Sequence, residues 1–245
     1  MTTVPPDSPE LPEPRFFALI PCGGNGSRAG TATAKQYQPV AGRPLVLHTL
    51  AAFAVVEQVL KTLVVVAPDD VFFDRYPASV DFEVSRCGGA SRAASVQNGL
   101  QALKSIGAQD YDWVLVHDAA RCLVTSGQVN QLIDACSLDA VGGLLALKLP
   151  DTLKQESRGR VTATLDRAGK WLAQTPQMFR LGMLAEALRL AGPGVTDESS
   201  AIEATGLQPK LVPGSAGNFK VTYPDDLRLA ETILLGRIAS QKSNS

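Results

Sequence analysis

The chain has 245 residues, 45% of them hydrophobic, which suffices for one large domain with its own core and leaves little for a second. Its 23 Lys and Arg against 24 Asp and Glu argue against a general nucleic-acid or membrane-surface role, so any basic site must be local. No apolar run reaches membrane-spanning length, and a soluble protein is expected.

The first segment, residues 1–14, has no apolar stretch of signal-peptide type, carries acids and is rich in proline; it is expected to be a disordered tail. Four cysteines (Cys22, Cys87, Cys122, Cys136) form no C-x-x-C pair and sit in or beside apolar segments. Reduced core thiols, and hence a reducing, cytoplasmic compartment, are the expectation.

The apolar run from Phe16 to Ile20 is bounded by Pro21 and followed at once by Gly23, Gly24 and Gly26. This predicts a buried strand entering a loop whose backbone can approach a ligand closely. Arg28 and Lys35 follow with no acid between them. Exposed N–H groups plus two cations make a cradle for several phosphates, and a nucleoside triphosphate is the first reading; a glycine turn with solvated cations is the plain alternative. Gly24, Gly26 and Ala29 also fit a dinucleotide fingerprint, yet TATAKQYQP reads as an extended loop rather than a helix, and the first acid after the loop is Glu57, too late for the ribose. A Walker A loop fails for want of a Gly-Lys-Ser/Thr triplet.

Leu45 to Val56 suits a helix packed on a sheet, and Leu63 to Ala67 is a β-branched run of the kind buried on both faces. Strand and helix repeating at this spacing argue for an α/β fold with a mainly parallel sheet. Phe82 to Ser85 is a third strand, broken by Cys87-Gly88-Gly89, and Ser91 is placed to cap a helix running to about Leu103. This glycine break lies where a parallel sheet gathers its ligands, although an ordinary strand-to-helix turn accounts for it equally well.

Trp113 to His117 is the next buried strand and ends in Asp118-Ala119-Ala120-Arg121. A carboxylate at the carboxyl end of a central strand is costly unless it binds something. With a triphosphate nearby, Mg2+ is the natural partner, and capping of the next turn is the alternative. His117 and His48 have no ligating companions and read as structural. A helix over Thr125 to Cys136 and a strand over Ala140 to Leu147 follow, and then the pattern changes. Residues 148–170 alternate polar and apolar side chains about a turn at Ser157-Arg158-Gly159, which predicts a two-stranded hairpin too polar for the core and in need of something to dock on. A last helix is expected from Pro224 to near Ile238, with residues 240–245 as a polar tail.

The loop G-x-G-x-R with a lysine seven residues after the arginine, and K-Q-Y at that lysine, resembles the nucleotide loop of the 2-C-methyl-D-erythritol 4-phosphate cytidylyltransferases, a family of sugar nucleotidyltransferases. Later segments extend the likeness from Phe16 to about Ile238. His117 to Arg121 resembles the family's H-D-A-A-R-P, with Cys122 in place of the proline. Thr175-Pro176-Gln177 matches T-P-Q, Thr196 to Ala201 resembles T-D-E-A-S-A, and Asn218 to Thr222 matches N-I-K-V-T.

The resemblance implies a single Rossmann-like nucleotidyltransferase domain over residues 15–239, with the hairpin as an arm by which two subunits embrace in a homodimer. It implies transfer of a cytidylyl group from CTP to 2-C-methyl-D-erythritol 4-phosphate with release of pyrophosphate. Arg28 and Lys35 would hold the triphosphate, Arg167 and Lys220 the incoming phosphate, and Asp118 the Mg2+. Cys22, Gly23, Gly24, Gly26, Gly88, Gly89 and Ser95 would contact the nucleotide, and Thr152, Arg121 and Thr175 the polyol phosphate. A phosphate monoester is already a nucleophile, so no Ser-His-Asp triad is required and none is offered. Transfer to ribitol 5-phosphate, nucleotide binding without catalysis, and a dinucleotide oxidoreductase are the alternatives, in that order; neither nucleic acid nor membrane is an expected partner.

Overall fold

The computed structural model describes residues 13–24, 34–76 and 82–243. Gly26 and Arg28 lie outside these, as does most of the expected N-terminal tail.

In chain order, β1 (Phe16–Pro21) is followed by a 3-10 turn at Lys35–Tyr37, a short pairing of β2 (Pro39–Val40) with β3 (Arg43–Pro44), α1 (Leu45–Ala54) and β4 (Val59–Val65). Next come β5 (Phe82–Ser85), α2 (Arg92–Ser105), β6 (Trp113–Val116), α3 (Ser126–Cys136) and β7 (Gly142–Lys148). The polar hairpin is β8 (Leu153–Ser157) with β9 (Arg160–Leu165), and the chain closes with β10 (Trp171–Arg180), α4 (Leu181–Ala191), α5 (Glu198–Glu203), β11 (Lys210–Pro213) and α6 (Pro224–Ser243). The last helix runs past its expected end near Ile238, so residues 240–243 continue a helix rather than begin a tail.

Seven strands form one sheet in the order β11-β7-β10-β6-β1-β4-β5, and within it β10 runs against its two neighbours while the other adjacent pairs are parallel. Alternation along the strands divides the core. Ala18, Ile20, Val64, Trp113 and Leu115 face α1 and α3, where they meet Val46, Leu50, Phe53, Leu132 and Ile133. Phe17, Leu19, Leu63, Val65, Val114 and Val116 face the other way, onto Val96, Leu100 and Leu103 of α2 and Leu184 and Leu188 of α4. Both faces are covered, as a parallel sheet requires, and the strands accordingly read as continuous apolar runs. Cys122 packs with Leu45, Val221, Ala230 and Leu234 in a third apolar group beneath α6, so the residue standing for the family's proline is a core contact.

The helix starts follow local chemistry. Ser91 Oγ accepts from Ala94 N–H at 3.1 Å, and Thr125 with Gln128, and Asp197 with Ser200, form reciprocal capping boxes. The hairpin turn takes positive φ at Arg158 (53°) and Gly159 (76°), matching the mirror-type turn that suits twisted strands. Its strands are exposed almost throughout, as the polar alternation predicted. Cys22, Cys122 and Cys136 are buried free thiols, in line with the expectation of reduced core cysteines, and Cys87 is half-buried. Among the described residues no helix is long and apolar enough to cross a membrane.

Candidate active site

β1 sits between β4 and β6, and the chain leaves it toward β4 and β5 before returning to its other side as β6. The crevice beyond the carboxyl ends of β1 and β6 is therefore the switch point where open α/β sheets bind ligands. Cys22-Gly23-Gly24 leaves one lip and His117 to Arg121 the other.

Gly23 and Gly88 come together there: a Cβ on Gly23 would lie 3.9 Å from the Cα of Gly88. Gly88 N–H donates to Val66 O at 2.8 Å, and a Cβ built on it would stand 2.6 Å from that same oxygen. Only glycine lets this loop lie against the end of β4. Gly89 N–H donates to Ser95 Oγ at 3.0 Å, and Ser95 Oγ donates to Ser91 O at 2.9 Å, so the serine braces the loop onto the first turn of α2. Gln36 Nε2 donates to the carbonyls of Cys22 and Gly24, both at 2.9 Å, and holds the first glycine loop. Burial pushes the Cys22 thiol up to about 12, so it is a packed group and not a nucleophile.

Asp118 is the electrostatic centre. Its Oδ1 accepts from Arg92 Nε at 2.8 Å, its Oδ2 pairs with Lys220 Nζ at 2.8 Å, and Arg121 Nε stands 3.7 Å away. Burial alone would raise this carboxyl, but Arg92, Lys220 and Arg121 hold it well below the usual carboxylate range, so it is ionised. Arg92 in turn makes a two-bond fork to buried Glu198, Nη1 to Oε1 at 2.7 Å and Nη2 to Oε2 at 3.0 Å. Arg121 donates to the carbonyls of Asn218 and Ala173, at 2.7 Å and 3.3 Å, which ties the Asp118 turn to β10 and to the loop carrying Lys220. Lys35 Nζ reaches the carbonyl of Val221 at 2.8 Å.

Thr175, at a cis Thr175–Pro176 peptide, lies where the pairing of β10 with β7 breaks between Ala173 and Gln177. It is buried, accepts from Asp118 N–H at 3.1 Å and faces His117 Nδ1 at 3.0 Å. Burial pushes the His117 pKa down to about 3, consistent with a structural, neutral imidazole. His48 Nε2 meets Val40 O at 2.7 Å and braces β2, again structurally.

The structure thus gathers Lys35, Lys220, Asp118, Arg121 and Thr175 in one crevice with the glycine loops. Arg167 and Thr152 are exposed on the hairpin, where the Arg167 guanidinium donates to the Pro150 carbonyl. Arg92 and Glu198 were not singled out from sequence. A signal was present: Arg92 opens α2 at the positive end of the helix dipole, with no acid in that first turn to offset it, and so needs carboxylate partners from elsewhere.

Mg2+ fits the donor chemistry. Among the described residues no group of three or more His, Cys, Asp or Glu could enclose an ion. A single ionised carboxylate beside a triphosphate is nevertheless the usual setting for Mg2+, which retains waters and takes phosphate oxygens.

Comparison with known proteins agrees with this geometry. Residues 16–236 match the family described as IspD: 2-C-methyl-D-erythritol 4-phosphate cytidylyltransferase. A relative named bifunctional enzyme IspD/IspF, from Albidiferax ferrireducens, is 67% identical over 225 residues; the match covers 91% of this chain and 54% of that protein, so the chain spans about half its length. The 2-C-methyl-D-erythritol 4-phosphate cytidylyltransferase of Paraburkholderia phytofirmans is 56% identical over 228 residues, covering 90% of this chain and 96% of the relative. A crystal structure of a 4-diphosphocytidyl-2C-methyl-D-erythritol synthase superposes with a TM-score of 0.80 at 39% identity, covering 90% of this chain and 98% of the other. The Thermus thermophilus cytidylyltransferase superposes with a TM-score of 0.74 at 32% identity, over 89% and 98% of the two chains. With the glycine loops, the Asp118 centre and the T-P-Q break assembled at one switch point, the chain belongs to the 2-C-methyl-D-erythritol 4-phosphate cytidylyltransferase family.

Proposed function

We propose that this crevice transfers the cytidylyl group of CTP to 2-C-methyl-D-erythritol 4-phosphate, giving 4-diphosphocytidyl-2-C-methyl-D-erythritol and pyrophosphate for isoprenoid precursor synthesis. A phosphate oxygen of the polyol phosphate attacks the α-phosphorus of CTP, the new P–O bond forms, and the bond to the β-phosphate breaks as pyrophosphate leaves. Both reactants are anions, so what the protein has to supply is positive charge and alignment. The observation that carries the reading is the convergence of Lys220, Arg92 and Arg121 on ionised Asp118 beside the two glycine loops.

Gly23, Gly24, Gly88 and Gly89 form the nucleotide cradle, and Lys35, together with Arg28 from outside the described residues, neutralises the triphosphate. Lys220 and Arg121 face the incoming phosphate. Asp118 would hold Mg2+, which when bound screens the phosphate oxygens and draws charge from the leaving group. Asp118 also holds Lys220 in place. The exposed hairpin of residues 148–170 is the dimer arm, and Arg167 and Thr152 on it complete the polyol phosphate site of the second subunit.

The test is pyrophosphate release from CTP with each polyol phosphate offered separately. Turnover is expected with 2-C-methyl-D-erythritol 4-phosphate, and a preference for ribitol 5-phosphate would transfer the chain to the alternative specificity.

A further inference from the structure

We infer that Gln36 is the positioning residue of the nucleotide cradle: its buried amide turns the carbonyls of Cys22 and Gly24 inward, so that the loop meets the triphosphate with N–H groups and not with oxygens. The inference rests on the cytidylyltransferase reading and names what sets the affinity of that site for its nucleotide. Glycines let the first loop approach a ligand closely, and they also let its peptides rotate, because glycine adopts backbone angles that other residues avoid. A peptide turned over would present its carbonyl oxygen to the phosphates, where two negative groups repel. Packing does not prevent this at Gly24, since a Cβ built there would meet no atom of the described residues within 4 Å.

Gln36 supplies the restraint. Its side chain is buried, and its Nε2 lies 2.9 Å from Cys22 O and 2.9 Å from Gly24 O. Carbonyls only accept, so the group between them is the NH2 of the amide, whose two protons serve one oxygen each. In a planar trans peptide the N–H points opposite to the carbonyl. With the Cys22 oxygen turned onto Gln36, the Gly23 N–H points the other way. Cys22 N–H is itself bonded to Val65 O at 2.7 Å, so the loop is fixed where it leaves β1 and again at Gly24.

The turn that carries Gln36 keeps the amide in place. Lys35–Tyr37 is a 3-10 turn, and three residues per turn send three consecutive side chains in three directions. Lys35 reaches Val221 O, Gln36 reaches the glycine loop, and Tyr37 donates to Asp70 Oδ2 at 2.6 Å with its ring stacked on Phe72, centroids 3.8 Å apart. The outer two contacts fasten the turn to the C-terminal segment and to the connection after β4, and the amide is held between them.

Two measurements on the full chain test the proposal. In Gln36→Met, which keeps the length of the side chain and removes both donors, the KM for CTP is expected to rise about tenfold or more, as loss of two buried hydrogen bonds implies. Turnover and the KM for the polyol phosphate should change far less. Competition should show the loss growing with the phosphate chain, small for CMP and full for CTP. Equal weakening of CMP and CTP, or an unchanged KM for CTP, would overturn the proposal. In the wild-type chain both side-chain amide protons of Gln36 should exchange with solvent far more slowly than those of exposed Gln101. Exchange as fast as at Gln101 would also overturn it, whether or not the variant folds. Absence of CTP turnover in the wild-type chain would instead remove the functional reading, and exchange at Gln36 would still decide whether the amide clamps the loop.

Discussion

Lys35 and Val221 lie 186 positions apart in the chain and are joined by one hydrogen bond of 2.8 Å, from the Lys35 ammonium to the Val221 carbonyl. The cation that follows the first glycine loop thereby anchors the segment that carries Lys220. Lys35→Ala and Lys35→Met should lower turnover on the order of 10²-fold through loss of preorganised charge. Both should also raise the KM for the polyol phosphate, because the Lys220 segment loses its tether. Steady-state kinetics in both substrates would show this, and near-normal turnover would remove Lys35 from the site.

The Arg92 fork to Glu198 predicts a stability defect. Glu198 is almost wholly buried, so Glu198→Ala strands a guanidinium whose one remaining carboxylate partner among the described residues is Asp118. Breaking such a pair from one side costs about 3 kcal/mol, at the low end of the usual range because Arg92 keeps some contact with water. Urea unfolding measures it; a midpoint equal to wild type would show that the fork contributes nothing net.

Gly88→Ala should act on CTP rather than on chemistry. The added Cβ meets the Val66 carbonyl at 2.6 Å, and the backbone must yield. Overpacking of this kind costs about 1–3 kcal/mol, so the KM for CTP is expected to rise about tenfold or more, with turnover at saturating CTP much less affected. An unchanged KM would place the nucleotide elsewhere.

Asp112, at the opposite end of β6, sets an acid limit on stability. Burial would raise its carboxyl, but hydrogen bonds from the Arg15 guanidinium and from the N–H groups of Gln109 and Arg15 outweigh this and hold it below the usual range. A carboxyl depressed in the folded state adds stability that is whole above its unfolded pKa, ~3.9, and drains away as pH falls below that. Asp112→Asn should be less stable at pH 7 by about 1–3 kcal/mol and show a shallower loss in acid. Chemical denaturation between pH 7 and pH 3 reads both, and parallel curves for the two proteins would refute it.

Removal of residues 151–167 should leave a folded, monomeric chain, since the hairpin strands pair with each other and are exposed. If the arm supplies Arg167 to its partner, mixing inactive Arg167→Ala with inactive Lys35→Ala chains should restore part of the activity. An active monomer by sedimentation would count against the arm.

The parallel half of the sheet was legible because strands buried on both faces announce themselves as unbroken apolar runs, as at Leu63 to Ala67 and Trp113 to His117. The capping serine Ser91 marked the start of α2 for a similarly local reason. β10 escaped because Pro176 argues against a central strand, and only the register break that accommodates it reconciles the two. β11 is four residues at a sheet edge, and α4 follows β10 with no side-chain cap to mark its start. In the site, Asp118 and the glycine loops carry their meaning in their own neighbourhood. Arg92 and Glu198 acquire theirs only from each other, across 106 positions, and pairing at that range cannot be read from one sequence.

The Asp118 centre draws on Arg92, Arg121, Glu198 and Lys220, with Asn218 and Val221 holding their supports. Because Lys220 comes from the last tenth or so of the chain, a nascent chain that has already paired β1, β4 and β6 has a sheet but no working crevice. Closure of loops this long comes late in folding. Catalytic competence is therefore a report on the whole topology, and a chain stopped short of Lys220 would lack one of the cations that pair with Asp118.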